Sequence, residues 1–265
     1  MAAIVRALIR KSSHRKSDPP SSCAPAAGRP RRMSTVDTIQ WIMWMCRAGC
    51  PWSMLPCPHN VSYKTVYHRF NIWSRMRIFE HAFYNLAIQY RQHTQNPLII
   101  DSTQVKNVYG VDVVGRNHAD RGRNSTKVSL LTDSRAVPIA MSFFRGNRND
   151  CQTLRHTLNE ACRKTAGTLS PHGSLHADKG YDSATCRSIC RNHGLDAIIP
   201  QRRTLPMRDS IRIMIEIAIG RFDKFRRIIM RYDSRITSMK SFHYIAGAHM
   251  FPAVWLWRCP LKFAG

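Results

Sequence analysis

The stretch His176-Ala177-Asp178-Lys179-Gly180-Tyr181-Asp182 constrains the fold more than any other part of this chain. The short apolar run Ser174-Leu175-His176-Ala177 before Asp178 reads as a buried strand, and Ser183 to His193 reads as a helix. Asp178 is therefore expected at a strand tip, with a glycine two residues on, held on a rigid element with its carboxylate toward open space. A metal ligand needs that placement. Asn96-Pro97-Leu98-Ile99-Ile100-Asp101 repeats the arrangement, a proline-led apolar run that ends in an acid.

Around these two tips the periodicity predicts a definite order of elements. Val36, Ile39, Trp41, Ile42, Met45 and Cys46 fall on one broad helical face from Thr35, and Gly49 ends that helix. Ser62 can cap a second helix over Tyr63 to Arg75, and a third runs from Ile78 to about Tyr90. Strand-like runs follow at 98–101, 126–132 and 137–144, the last two joined by the turn Asp133-Ser134-Arg135. A helix from Asp150 to about Ala166, the Asp178 strand and its helix, a strand at Ala197-Ile198-Ile199 and a long helix from about Ser210 to Arg231 complete the pattern. Three strands, then helix, strand, helix, strand, helix, is an α/β order of the RNase H-like kind: a mixed sheet flanked by helices, preceded by a small all-helical domain. The expected division is a basic arm at 1–33, a helical DNA-binding domain at 34–94, a catalytic domain at 95–250 and a C-terminal tail at 251–265.

Composition narrows the partner. Against 16 acidic residues stand 41 Lys and Arg, a formal net charge of +25. Self-repulsion on that scale disfavours the compact state, so an acidic partner is expected, and nucleic acid is the commonest. No apolar run approaches the roughly 18 residues of a membrane span, so a soluble protein without a membrane partner is expected, in the cytoplasm (nucleoid-associated) of a bacterium or the nucleus of a eukaryote. Nine cysteines are scattered without paired short spacing, which predicts free thiols and neither a disulfide framework nor a zinc site at Cys46, Cys50, Cys57 and His59 or at Cys186, Cys190 and His193.

A third acid completes a candidate metal set. Glu216 lies among Ile213, Met214, Ile215, Ile217, Ala218 and Ile219, where a carboxylate is costly unless paired or metal-bound. Converging carboxylates are what two divalent cations held roughly 3.5–4 Å apart require, and an all-oxygen set suits Mg²⁺.

Over residues 36 to 250 the chain resembles the insertion-sequence DDE transposases. The likeness rests on Gly49-Cys50-Pro51-Trp52-Ser53-Met54-Leu55-Pro56, Asp101-Ser102-Thr103, Thr126-Lys127, Gly146-Asn147-Arg148-Asn149-Asp150, Ala177 to Asp182, Glu216, Gly220, Phe225-Arg226-Arg227-Ile228 and Arg231-Tyr232-Asp233. It implies an RNase H-like domain in which Asp101, Asp178 and Glu216 are catalytic and bind Mg²⁺, with Mn²⁺ as a substitute, and it matches Arg212 to a DNA-contacting arginine. It also implies a homodimer on double-stranded DNA, acting on inverted-repeat ends and target DNA. The remaining expected DNA contacts are Arg116, Arg121, Arg123 and Lys127 near the metal rim, Lys179 beside Asp178, and a stripe of Lys224, Arg226, Arg227 and Arg231 on the last helix. Two alternatives stay open. One is a DNA binder that kept the fold without the chemistry, since Asp209 and Asp223 occupy the family's Tyr and Lys positions; the other is a metal-dependent nuclease.

Overall fold

The computed structural model describes residues 33–57, 61–165, 167, 173–201, 211 and 213–251. The arm up to residue 32, the tail from residue 252, and the singled-out His59, Asp209 and Arg212 lie outside the described residues.

Three helices come first: α1 (Thr35–Ala48), α2 (Tyr63–Arg75) and α3 (Ile78–Gln92). Ser34 and Ser62 each cap one, accepting hydrogen bonds from Asp37 N and Lys64 N. Gly49 ends α1 in the left-handed region at φ 69°, and a side chain there would run into Arg226. Both the backbone conformation and the close approach demand glycine.

The sheet comprises β1 (Leu98–Asn107), β2 (Gly115–Asn117), β3 (Arg123–Asp133), β4 (Pro138–Arg145), β5 (Ser174–Ala177), β6 (Asp196–Ile198) and β7 (Met230–Arg231). β4 pairs β3 and β3 pairs β1, both antiparallel; β5 joins β1 and β6 joins β5, both parallel. β2 lies against the first residues of β3, and β7 against the last of β1. The central order β4-β3-β1-β5-β6 is the RNase H-like arrangement expected. The β3–β4 corner is tied by the fully buried Asp133, whose carboxylate accepts from Tyr90 Oη, Asn96 Nδ2, Arg135 N and Val137 N. Four donors offset the cost of burying that charge.

The remaining helices are α4 (Asp150–Lys164), α5 (Ala184–Asn192), α6 (Ile213–Phe222), α7 (Arg226–Ile229) and α8 (Ile236–His249). α8 buries ten of its residues, the polar Ser238, Ser241 and His243 among them, as a helix enclosed on several sides does. Its Phe242 stacks on Phe70 of α2 at 4.5 Å, and its Tyr244 lies 5.5 Å from Phe83 of α3. At Gly247 an added Cβ would meet Phe83 at 2.8 Å and Met141 of β4 at 3.0 Å. α8 thus joins the N-terminal helices to the sheet in one apolar cluster.

Two expectations are corrected. The long helix to Arg231 does not form: α6 stops at Phe222, Phe225 turns extended, and Met230–Arg231 becomes a strand on β1. Burial explains the break, because Phe222, Phe225 and Ile228 all go into the core and one straight helix cannot present them there together with Arg231. Cys151 and Cys186, expected as free thiols, are paired as a disulfide that links α4 to α5.

Candidate active site

Parallel pairing of β1 with β5 sets Ile100 opposite Ala177, so Asp101 and Asp178 stand side by side. Asp178 follows the end of β5, whereas Asp101, expected at a strand tip, lies within β1, which runs on to Asn107 against β3. Asp101 Oδ1 accepts from Ser102 N at 2.7 Å and Asp178 Oδ1 accepts from Lys179 N at 2.7 Å. Each carboxylate is thereby held against the next backbone N–H, and both residues are half-buried. The rest of the stretch after β5 anchors the tip. Tyr181 is buried, Asp182 is salt-bridged to Arg187 at 2.9 Å, and Ser183 caps α5 by accepting from Cys186 N.

Glu216 comes from α6. Ile219 and Phe222 of that helix face Thr103 and Val105 of β1 across a cavity of about 240 Å³. Side chains alternate along a strand, so α6 covers the face of β1 that also carries Asp101. Glu216 follows the buried Ile215 but is itself exposed, between Ile213 and Ile217, which are 54% and 39% exposed. The apolar burial expected around it is therefore absent. Among the described residues no group of three or more His, Cys, Asp or Glu side chains stands close enough together to hold a metal ion.

An acid expected only as a helix start also lies beside this part of β1, next to Ser102. Asp150 opens α4, accepts from Lys127 Nζ at 2.8 Å, and approaches Ser102 Oγ at 3.4 Å. A Cβ at Gly180 would lie 3.7 Å from its Oδ2. Burial, with the charges of Asp150 and Asp101, pushes the Tyr181 hydroxyl up. The signal that could have marked Asp150 is its place in Gly146-Asn147-Arg148-Asn149-Asp150, at a helix N-terminus directly after the edge strand β4.

The expected phosphate contacts divide. Lys127 is not available: it is 9% exposed and donates to Asp150 and to Arg148 O. Arg231 is 1% exposed, bonded to Asp112, Thr126 and Ser234, and Arg227 is buried against Asp233 and Cys50 O. Those three are structural ties, and with the last helix broken no continuous stripe exists. Lys179, Lys224 and Arg226 are exposed. Arg116, Arg121 and Arg123 are exposed at the β2–β3 turn, but not at the expected rim. Ser125 pairs with Lys106, five residues beyond Asp101, so that turn lies about 17 Å or more along β1.

The family described as "Transposase DDE domain" matches residues 92–249, more than half of the chain. This chain belongs to the DDE transposases. Residues 16–83 match the family described as "Putative transposase of IS4/5 family". A putative transposase for insertion sequence element IS402 from Burkholderia cepacia is 30% identical over 143 residues, 52% of this chain and 65% of that protein. The chain thus spans just under two thirds of the length of that curated relative. Two solved structures are alike at 12% identity and a TM-score of 0.36 each. The Mos1 strand transfer complex is matched over 88% of this chain and 79% of its own, and the catalytic domain of Mos1 mariner transposase over 75% and 94%. A score of 0.36 is too low for either likeness to bear on the site.

Membership of the DDE transposases implies a divalent metal ion. Asp101 and Asp178 fit two of the oxygen donors, side by side and half-buried. Glu216 lies on the matching side of the sheet but outside a three-ligand group. Among the described residues no helix is long and apolar enough to cross a membrane.

Proposed function

We propose that this transposase cleaves DNA at the inverted-repeat ends of its own element and joins the freed 3′ ends to target DNA, with Asp101, Asp178 and Glu216 as the catalytic carboxylates. The single observation that carries the reading is the pairing of β1 with β5, which sets Asp101 beside Asp178. Both steps are in-line displacements at phosphorus and need one charged site with two different nucleophiles. Asp101 and Asp178 would hold Mg²⁺, or Mn²⁺ in its place, with Glu216 as the third carboxylate. A divalent ion held there would supply stabilisation of negative charge on the phosphoryl and leaving oxygens. Lys179, beside Asp178, binds the phosphate next to the cut bond, and exposed Lys224 and Arg226 contact the flanking strand. Arg212 is assigned to the strand end through the family likeness alone. The chain acts as a homodimer, because two element ends must be joined together, with the helical segment 34–94 as its DNA-binding domain.

A second reading, a DNA binder without catalysis, draws on the lack, among the described residues, of three acidic, His or Cys side chains grouped closely enough to hold a metal ion. Incubating labelled element ends with target DNA and Mg²⁺ tests the proposal. A transposase yields cut ends and joined product, a nuclease of the same fold yields cut ends alone, and a binder yields neither. Absence of joined product with intact element ends overturns the proposal.

A further inference from the structure

A groove of about 830 Å³ opens between α2 and the turn after β7, away from the carboxylates. One wall is a single face of α2, along which Lys64, Tyr67, His68, Asn71 and Arg75 recur at helical spacing. The opposite face of that helix, with Val66 and Phe70, is buried. Tyr232 and Arg235 stand on the other wall. The acid that lines the groove, Asp233, is bonded to Arg227 at 2.9 Å, so its charge is cancelled. Lys64, Arg75 and Arg235 are exposed, and none has an ion-pair partner among the described residues. Converging uncompensated cations draw an anion.

The aromatic side chains narrow the class of anion. Tyr67 is held edge-on by Trp52 at 5.2 Å. Tyr232 pairs with Tyr109 at 6.2 Å, and these two are 41% and 66% exposed. An exposed tyrosine pair beside a cationic groove is a fitting surface for a nucleic-acid strand, whose phosphates meet the cations while its sugars and bases lie on the rings.

We propose that this groove holds the DNA flank that lies inward of the cut bond, as a second contact independent of the carboxylates. The inference rests on the transposase reading and adds a place and a distance to it. β7 pairs Arg231 with Asn107, six residues beyond Asp101, so the groove stands about 20 Å from the carboxylates along β1. At 3.4 Å per step that is roughly six base pairs of duplex. The exposed Arg116, Arg121 and Arg123 lie toward the same end of β1 and lengthen the basic track.

The test is fluorescence anisotropy of the full chain on a labelled element-end duplex over a salt series, comparing wild type with the triple variant Lys64→Ala, Arg75→Ala, Arg235→Ala. All three side chains are exposed, and a thermal melt confirms that the variant is folded. The log affinity against log salt slope of the variant should be shallower by about 2 to 3, at roughly 0.9 for each phosphate that the groove no longer neutralises. Tyr232→Ala should weaken binding and Tyr232→Phe should retain it. Wild type that binds and cuts DNA beside a folded variant with an unchanged slope overturns the groove alone. Wild type that binds no DNA overturns the groove and the transposase reading together.

Discussion

Lys127 and Asp150 show what a single charged pair can do beside a strand, next to Ser102 of β1. The side chain of Lys127 is 11% exposed and that of Asp150 36%, so the two partners are unequal in their access to water. Asp150→Ala leaves an ammonium buried with only Arg148 O as acceptor and should destabilise the fold by about 3 kcal/mol. Lys127→Met leaves a carboxylate that water can reach, and should cost about 1 kcal/mol. Urea denaturation of the two variants checks this ordering, and a larger loss for Lys127→Met would contradict it. Asp101 and Asp178 were legible because each closes an apolar run, a local pattern. The pair of Lys127 with Asp150 was not, because it forms only when β3 and α4 pack, and a lysine at the head of a strand looks the same in sequence whether it faces solvent or a buried acid.

At the scale of elements, α8 decides how the molecule responds to acid. His243 sits on it fully enclosed, donating to Met239 O and packed edge-on against Phe143 at 5.2 Å. Burial pulls its pKa from 6.5 down to about 4, against the opposing hydrogen bond to Met239. Below 6.5 the unfolded chain takes a proton that the folded chain refuses until about pH 4. Stability is therefore fully present above pH 6.5 and declines between pH 6.5 and 4, by up to about 3 kcal/mol. His243→Phe should flatten that slope in urea midpoints measured across the window; an unaltered slope would contradict the assignment. The elements themselves were mostly readable, since Ser34, Ser62 and Gly49 mark helix ends chemically. The stretch 213–231 reads as one helix because its apolar residues suit a helix everywhere, whereas Phe222, Phe225 and the partners of Arg231 fix the breaks only in three dimensions.

For the whole molecule, the strand order followed from the sequence because three antiparallel-type strands and then alternating helices and strands leave few topologies. The groove between α2 and the turn after β7 could not be read in that way. Its walls are more than 150 positions apart in the chain and meet only because α8 draws the N-terminal helices onto the sheet. Asp101, Asp178 and Glu216 are proposed to act as one site, although among the described residues no three such side chains are grouped closely enough to hold a metal ion. Cleavage of a labelled element end in Mg²⁺ by Asp101→Asn, Asp178→Asn and Glu216→Gln tests that central claim most directly. Each single variant should lose cleavage by at least about 10³-fold while still binding the DNA. A Glu216→Gln variant that cuts as fast as wild type would contradict it.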